Sequence, residues 1–280
     1  MRAGVVAVLL VAAWPASAQA ARYGGGTPAD SPEQAQRQLT LVGLRTTTAD
    51  GTGTVWAKVA ARCGVGALVQ DVQLAADGAF AFRGTVENRF PGGVRRRARV
   101  VGSGRVVGSA ASGTVRARLT LTRHGRVITR CRTGDRTWQA RDPFSLGPPS
   151  PARPNTAYYG ITTQTHRAFP IVLKVDATGR RVTTVAFEYR HRCKNRDDVE
   201  LDNITPGGPI AADGTFHLLE RFTLHYAEGN ERYRVAVDGQ FATDGMGGIL
   251  KVKSVLRSRR TGRVLDRCTT GAHTDFGADF

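Results

Sequence analysis

Gly125-Arg126-Val127-Ile128-Thr129-Arg130-Cys131-Arg132-Thr133-Gly134 returns near the end of the chain as Gly262-Arg263-Val264-Leu265-Asp266-Arg267-Cys268-Thr269-Thr270-Gly271, identical at seven of ten positions. Shorter matches keep the same order. Ala75-Ala76-Asp77-Gly78-Ala79-Phe80 matches Ala211-Ala212-Asp213-Gly214-Thr215-Phe216, and Arg62-Cys63 matches Arg192-Cys193. Tyr23-x-Gly25 near the start of the first copy is paired with Tyr159-Gly160 in the second. The offsets of the first three matches, 137, 136 and 130, drift as loop insertions make them drift. Coincidence explains one such match but not three in order, so one domain is written twice.

Each copy reads as almost entirely β. Gly113 to Thr122 places Val115, Ala117, Leu119 and Leu121 on one face and Arg116, Arg118, Thr120 and Thr122 on the other. A period of two puts one face in a core and the other in water. Similar alternation runs through Phe80 and Phe82, Ile171 to Val175, Val185 to Tyr189, Phe222 to Tyr226, and Val235 to Val237, with Asp-Gly and other Gly turns between the runs. The best helix candidate, Ser31 to Leu39, opens Ser-Pro-Glu but is short. Two tandem, homologous β-sandwich or β-barrel domains are expected, over 21–142 and 155–280. Between them, 143–154 belongs to a stretch with five prolines in thirteen residues, read as an extended spacer.

Residues 1–20 read as an export signal: Arg2, an apolar run from Gly4 to Trp14, Pro15, then small-x-small sites at Ala16-Ser17-Ala18 and Ala18-Gln19-Ala20. The run is shorter than the roughly 20 residues a membrane anchor needs. The mature chain is therefore expected to be soluble, monomeric and extracytoplasmic. There cysteines oxidise, and the repeat pairs Cys63 with Cys131 and Cys193 with Cys268, one bridge per copy. A zinc site is disfavoured, because no C-x-x-C or nearby His pair accompanies any cysteine.

An immunoglobulin domain fits poorly: Trp56 precedes Cys63, and Thr129 and Asp266 stand two residues before the second cysteines, where that fold places tyrosine. The chain more broadly resembles the Arg-rich, exported all-β repeat proteins, with one cysteine pair per copy, that high-GC actinobacteria encode. That resemblance covers both copies, rests on architecture and composition, and carries over no functional residues.

Over 280 residues the chain holds 40 basic against 23 acidic side chains, a charge of +17, with 41% apolar residues. Such a composition excludes collagen, coiled coils, disordered chains and polytopic membrane proteins. There is no G-x-S-x-G, H-E-x-x-H, Walker loop or mature S-x-x-K. His124 reads as a turn residue, and His166, His191, His217, His225 and His273 lie in the second copy, with His217 and His225 in one expected hairpin. Asp197, Asp198, Glu200 and Asp202 cluster after Cys193, as Ca²⁺ ligands or as a solvated loop without EF-hand order.

Charge is uneven: 20 basic against 8 acidic residues give +12 over 21–142, and 18 against 15 give +3 over 155–280. On a strand Arg95, Arg97 and Arg99 share a face that would attract anionic envelope polymers or lipid head groups, with nucleic acid only an opportunistic ligand. The bland alternative is a solvated face in a protein whose cations are nearly all arginine. The reading is thus a non-enzymatic binding or structural module of the cell envelope without a required cofactor. The rival is an extracellular polymer hydrolase using His and carboxylates of the second copy.

Overall fold

In the computed structural model, residues 21–47, 51–142, 147–164, 168–271 and 274–280 are described. The expected leader 1–20, residues 143–146 of the expected spacer, His166 and His273 lie outside them. The first copy contains β1 (Arg22–Gly26), α1 (Pro32–Gln38), β2 (Thr40–Thr46), β3 (Thr52–Ala61), β4 (Gly64–Gln73), β5 (Ala79–Phe90), β6 (Val94–Val107), β7 (Ala110–Arg123), β8 (Arg126–Arg132) and β9 (Arg136–Arg141). The second repeats the strands in order: β10 (Ala157–Thr162), β11 (Pro170–Val175), β12 (Val182–Cys193), β13 (Val199–Pro206), β14 (Thr215–His225), β15 (Gly229–Ala242), β16 (Gly245–Ser258), β17 (Val264–Thr269) and β18 (Asp275–Asp279).

Both copies form a nine-stranded antiparallel sheet, eight strands following the orders β4-β3-β2-β1-β9-β7-β6-β5 and β13-β12-β11-β10-β18-β16-β15-β14, and the ninth lying off them, β8 beside β7 and β17 beside β16 and β12. The long strand β7 carries β6 along one edge and shares the other, Ala110–Val115 pairing with β9 and Arg118–Arg123 with β8. Each sheet curls on itself like an open barrel, and side chains bridge the seam. Gln70 Oε1 accepts from Arg83 N at 2.8 Å between β4 and β5, and Asn203 Nδ2 donates to Glu220 Oε2 at 3.1 Å between β13 and β14. Inward residues fill each interior, Val42, Leu44, Phe82, Leu119 and Trp138 in one and Tyr158, Ile171, Phe187, Phe216 and Phe241 in the other.

The repeated Ala-Ala-Asp-Gly segment makes one turn twice. Gly78 and Gly214 have φ of 78° and 83°, where L side chains are strained, and Asp77 and Asp213 each accept an amide bond from two residues on. Cys63–Cys131 and Cys193–Cys268 are bonded, spanning 68 and 75 residues. The register corrects one alignment. Gly25 opposes Ala140 as Gly160 opposes Ala278, so Tyr23 corresponds to Tyr158, and both fill cores, whereas Tyr159 faces the other way.

That other way is toward the first copy. Strands β1–β3 and β10–β12 are buried on both faces, because the two barrel walls pack on each other through Leu39, Leu41, Ala60, Tyr159, Val172 and Ala186. The walls meet closely: a Cβ on Gly24 would lie 2.2 Å from the Gly160 carbonyl oxygen. Thr184 Oγ1 donates to Ala29 O at 2.6 Å, and Lys58 Nζ sits 2.9 Å from Glu188 and 3.3 Å from Asp202. The proline-rich stretch is no free spacer where described. Ser150 N bonds Phe241 O at 3.0 Å, Ala152 is buried in the second core, and the Arg153 guanidinium stacks over Phe280 at 3.5 Å. The helix forms as the Ser-Pro-Glu signature suggests, Ser31 Oγ accepting from Gln34 N at 3.1 Å, and buries only Ala35. Among the described residues no helix is long and apolar enough to cross a membrane.

Candidate functional site

Alternation on β5 to β8 sends Phe82, Val100, Ala117 and Leu119 inward and leaves arginine outward. Register then assembles these arginines across strands. Thr85, Arg99, Arg118 and Arg132 form one transverse row; Arg83, Val101 and Arg116 form the next on one side, and Glu87, Arg97, Thr120 and Arg130 on the other. Neighbours in a row are about 4.8 Å apart and rows about 7 Å apart along the strand. A shallow depression of about 650 Å³ is lined by Arg83, Gly84, Thr85, Arg97, Arg99, Arg118 and Thr120.

Carboxylates are scarce here. Arg95 lies 3.9 Å from Glu87 and Arg116 lies 3.5 Å from Asp135. Among the described residues Arg83, Arg97, Arg99, Arg118, Arg130 and Arg132 have no ion-pair partner. Like charges directly opposite on adjacent strands destabilise a sheet, so the Arg99–Arg118–Arg132 row carries a cost that a bound anion would offset. Of the expected stripe, Arg97 and Arg99 lie at the centre and Arg95 at the margin, partly neutralised. Arg96, between them, points to the barrel's end with its guanidinium 5.0 Å from the Phe90 ring, and burial lowers its pKa.

The acidic cluster is dispersed among partners. Asp198 accepts from Cys193 N at 3.1 Å and pairs with Arg190 at 3.0 Å, Asp202 pairs with Lys58 across the wall contact, and Asp197 and Glu200 are exposed. Among the described residues no three of these four carboxylates come within reach of a common ion. The histidines are separate too. His217 Nδ1 bonds Asp238, His225 Nδ1 contacts Asn230 Oδ1 at 2.7 Å, and His124 occupies a turn at φ 48°.

The second copy does gather a histidine with carboxylates, but inside its barrel. His191 is fully buried beside Glu231, which binds Arg196 and accepts from Ser254 Oγ at 2.5 Å; Arg196 Nε lies 3.1 Å from Asp266. His191, Glu231 and Asp266 are buried while Arg196 is partly exposed, so the group is an ion-pair network that reaches from the interior to the surface through Arg196.

Arg83, Arg116, Arg118, Arg130 and Arg132 were not among the expected binding residues. Their signal is nonetheless in the chain: Arg97-x-Arg99, Arg116-x-Arg118 and Arg130-x-Arg132 are three period-two pairs, and only the register shows that they adjoin. Comparison of the chain with protein-family models, with curated proteins and with solved structures finds no match.

Proposed function

We propose that the protein works outside the cytoplasm as a non-catalytic module that holds anionic polymers on the outward face of β5 to β8. The observation that carries this reading is the set of six arginines without carboxylate partners brought together by the register of four strands. Guanidinium groups suit phosphate, sulfate and carboxylate because each presents a planar fork of donors. The face has no aromatic platform for stacking bases, so its recognition is of charge and spacing rather than of nucleotide sequence.

Long-chain polyphosphate titrated by fluorescence anisotropy tests the reading. Binding should be tight at low salt, weaken steeply with NaCl, and weaken again in an Arg97→Ser/Arg99→Ser/Arg118→Ser variant whose unfolding temperature is unchanged. Salt-independent binding, or a variant equal to the parent, would refute it.

A further inference from the structure

We propose that the protein is bivalent: a second cation face on β14 to β17, turned away from the first, lets one molecule bridge two polyanion chains. The inference rests on the reading above and extends it. The two sheets share a reference row, Phe80–Gly104–Gly113–Trp138 in the first and Phe216–Gly239–Gly248–Phe276 in the second. Counted from that row, Arg97 and Arg99 correspond to Arg232 and Arg234, and Arg116 and Arg118 to Lys251 and Lys253. Counted from the bonded cysteines, Arg130 corresponds to Arg267.

Arginine-rich composition does not account for this coincidence. The chain has only five lysines among its 40 cations, and two of them stand at these positions. A lysine in an arginine's place keeps the charge and little else, so charge is what the two copies share. Their neighbours have changed freely: Arg83 is matched by Leu219, Ser103 by Asp238 and Arg132 by Thr269.

The second copy's low net charge conceals the face, because most of its acids are placed elsewhere; of the acids on β14 to β17 only Asp238 shares the outward side, where it bonds His217. Glu231 and Asp266 are buried with Arg196, and Glu188 and Asp202 sit at the wall contact with Lys58. Among the described residues Arg232, Arg234, Lys251, Lys253 and Arg267 have no ion-pair partner.

Topology sets the direction of the faces. The packed walls centre on β2 and β11, third in their eight-strand orders, while the cation faces centre on β6 and β15, seventh in the same orders. Half-way round a curled sheet is its opposite side, so the two faces look outward from opposite ends of the pair. One chain of polymer lying on both is disfavoured; two separate chains fit.

Agglutination of polyphosphate-coated beads by the full-length protein tests this, with binding to single polyphosphate chains measured in parallel. The parent should clump beads at low salt and release them in high salt. Arg97→Ser/Arg99→Ser/Arg118→Ser and Arg232→Ser/Arg234→Ser/Lys253→Ser should each still bind polyphosphate, yet need at least about tenfold more protein to clump beads, since two-point attachment is abolished. The six-fold variant should do neither. The substituted residues are exposed; should a triple variant fail to fold, Arg234→Gln/Lys253→Gln gives the same comparison. If the second-face variant clumps beads like the parent, or the first-face variant loses all binding, bivalency is wrong and the single-face reading survives. A parent that binds no polyphosphate at low salt overturns both. Clustering of anionic vesicles without binding of polyphosphate would replace a polymer by a membrane and overturn the proposal.

Discussion

Acidification from pH 7 to pH 5 should weaken this protein through one residue, His191. Its ring is fully buried, edge-on to Tyr189 with centroids 5.5 Å apart and tilted over Tyr233 at 5.9 Å. Burial disfavours the imidazolium most; the Glu231 carboxylate opposes that effect, Arg196 adds to it, and the pKa is pushed down to about 4. In the unfolded chain it returns to about 6.5. Between these values the unfolded state holds a proton that the native state lacks, so stability is intact above pH 6.5 and falls as the pH drops toward 4. The whole shift is worth on the order of 3 kcal/mol, of which about 2 kcal/mol is lost by pH 5. Urea unfolding of the parent and of His191→Phe at pH 7 and pH 5 isolates this contribution, because the carboxylates titrate in both proteins. The parent should lose about 2 kcal/mol more than the variant over that interval. Equal losses would show that the buried imidazole is already charged, or that its burial is relieved by water.

Three other outcomes follow from the packing and the charge. The slope of log affinity for polyphosphate against log salt should flatten by about 2 in the Arg97→Ser/Arg99→Ser/Arg118→Ser variant, because each phosphate left without its arginine removes about 0.7 of slope; an unchanged slope would place the polymer on another face. Replacing Cys63 and Cys131 together by serine removes a closure of 68 residues and should cost about 4 kcal/mol in urea unfolding, with a near-zero change refuting the loop-entropy account. Gly24→Val drives a side chain into the Gly160 carbonyl, so it should destabilise by about 1–3 kcal/mol and uncouple the unfolding of the two halves; a neutral result would mean that the walls separate freely.

The chain states much of this fold locally. Period-two alternation marks the strands, Asp-Gly marks the equivalent turns at Gly78 and Gly214, and the repeat assigns each cysteine its partner. These are readable because backbone pleat, positive φ and sequence order act within one strand or one turn. The Arg-x-Arg pairs are readable in the same way, each as one face of one strand. Their convergence is not: Arg99, Arg118 and Arg132 become neighbours only through the β5-to-β8 register. The packed walls are of the same kind. Ile171 to Val175 reads as an alternating strand with one face in water, whereas both of its faces are buried because the first copy packs on the second face. The acids of the second copy show the limit most clearly. Summed along the chain they nearly cancel its cations, whereas in the folded molecule Glu231 and Asp266 are sequestered with Arg196 and Glu188 and Asp202 with Lys58. Sequence determines which charges are present and which way each strand turns them; tertiary structure decides which charges neutralise one another, because that depends on distances between residues remote in the chain and on their exclusion from water.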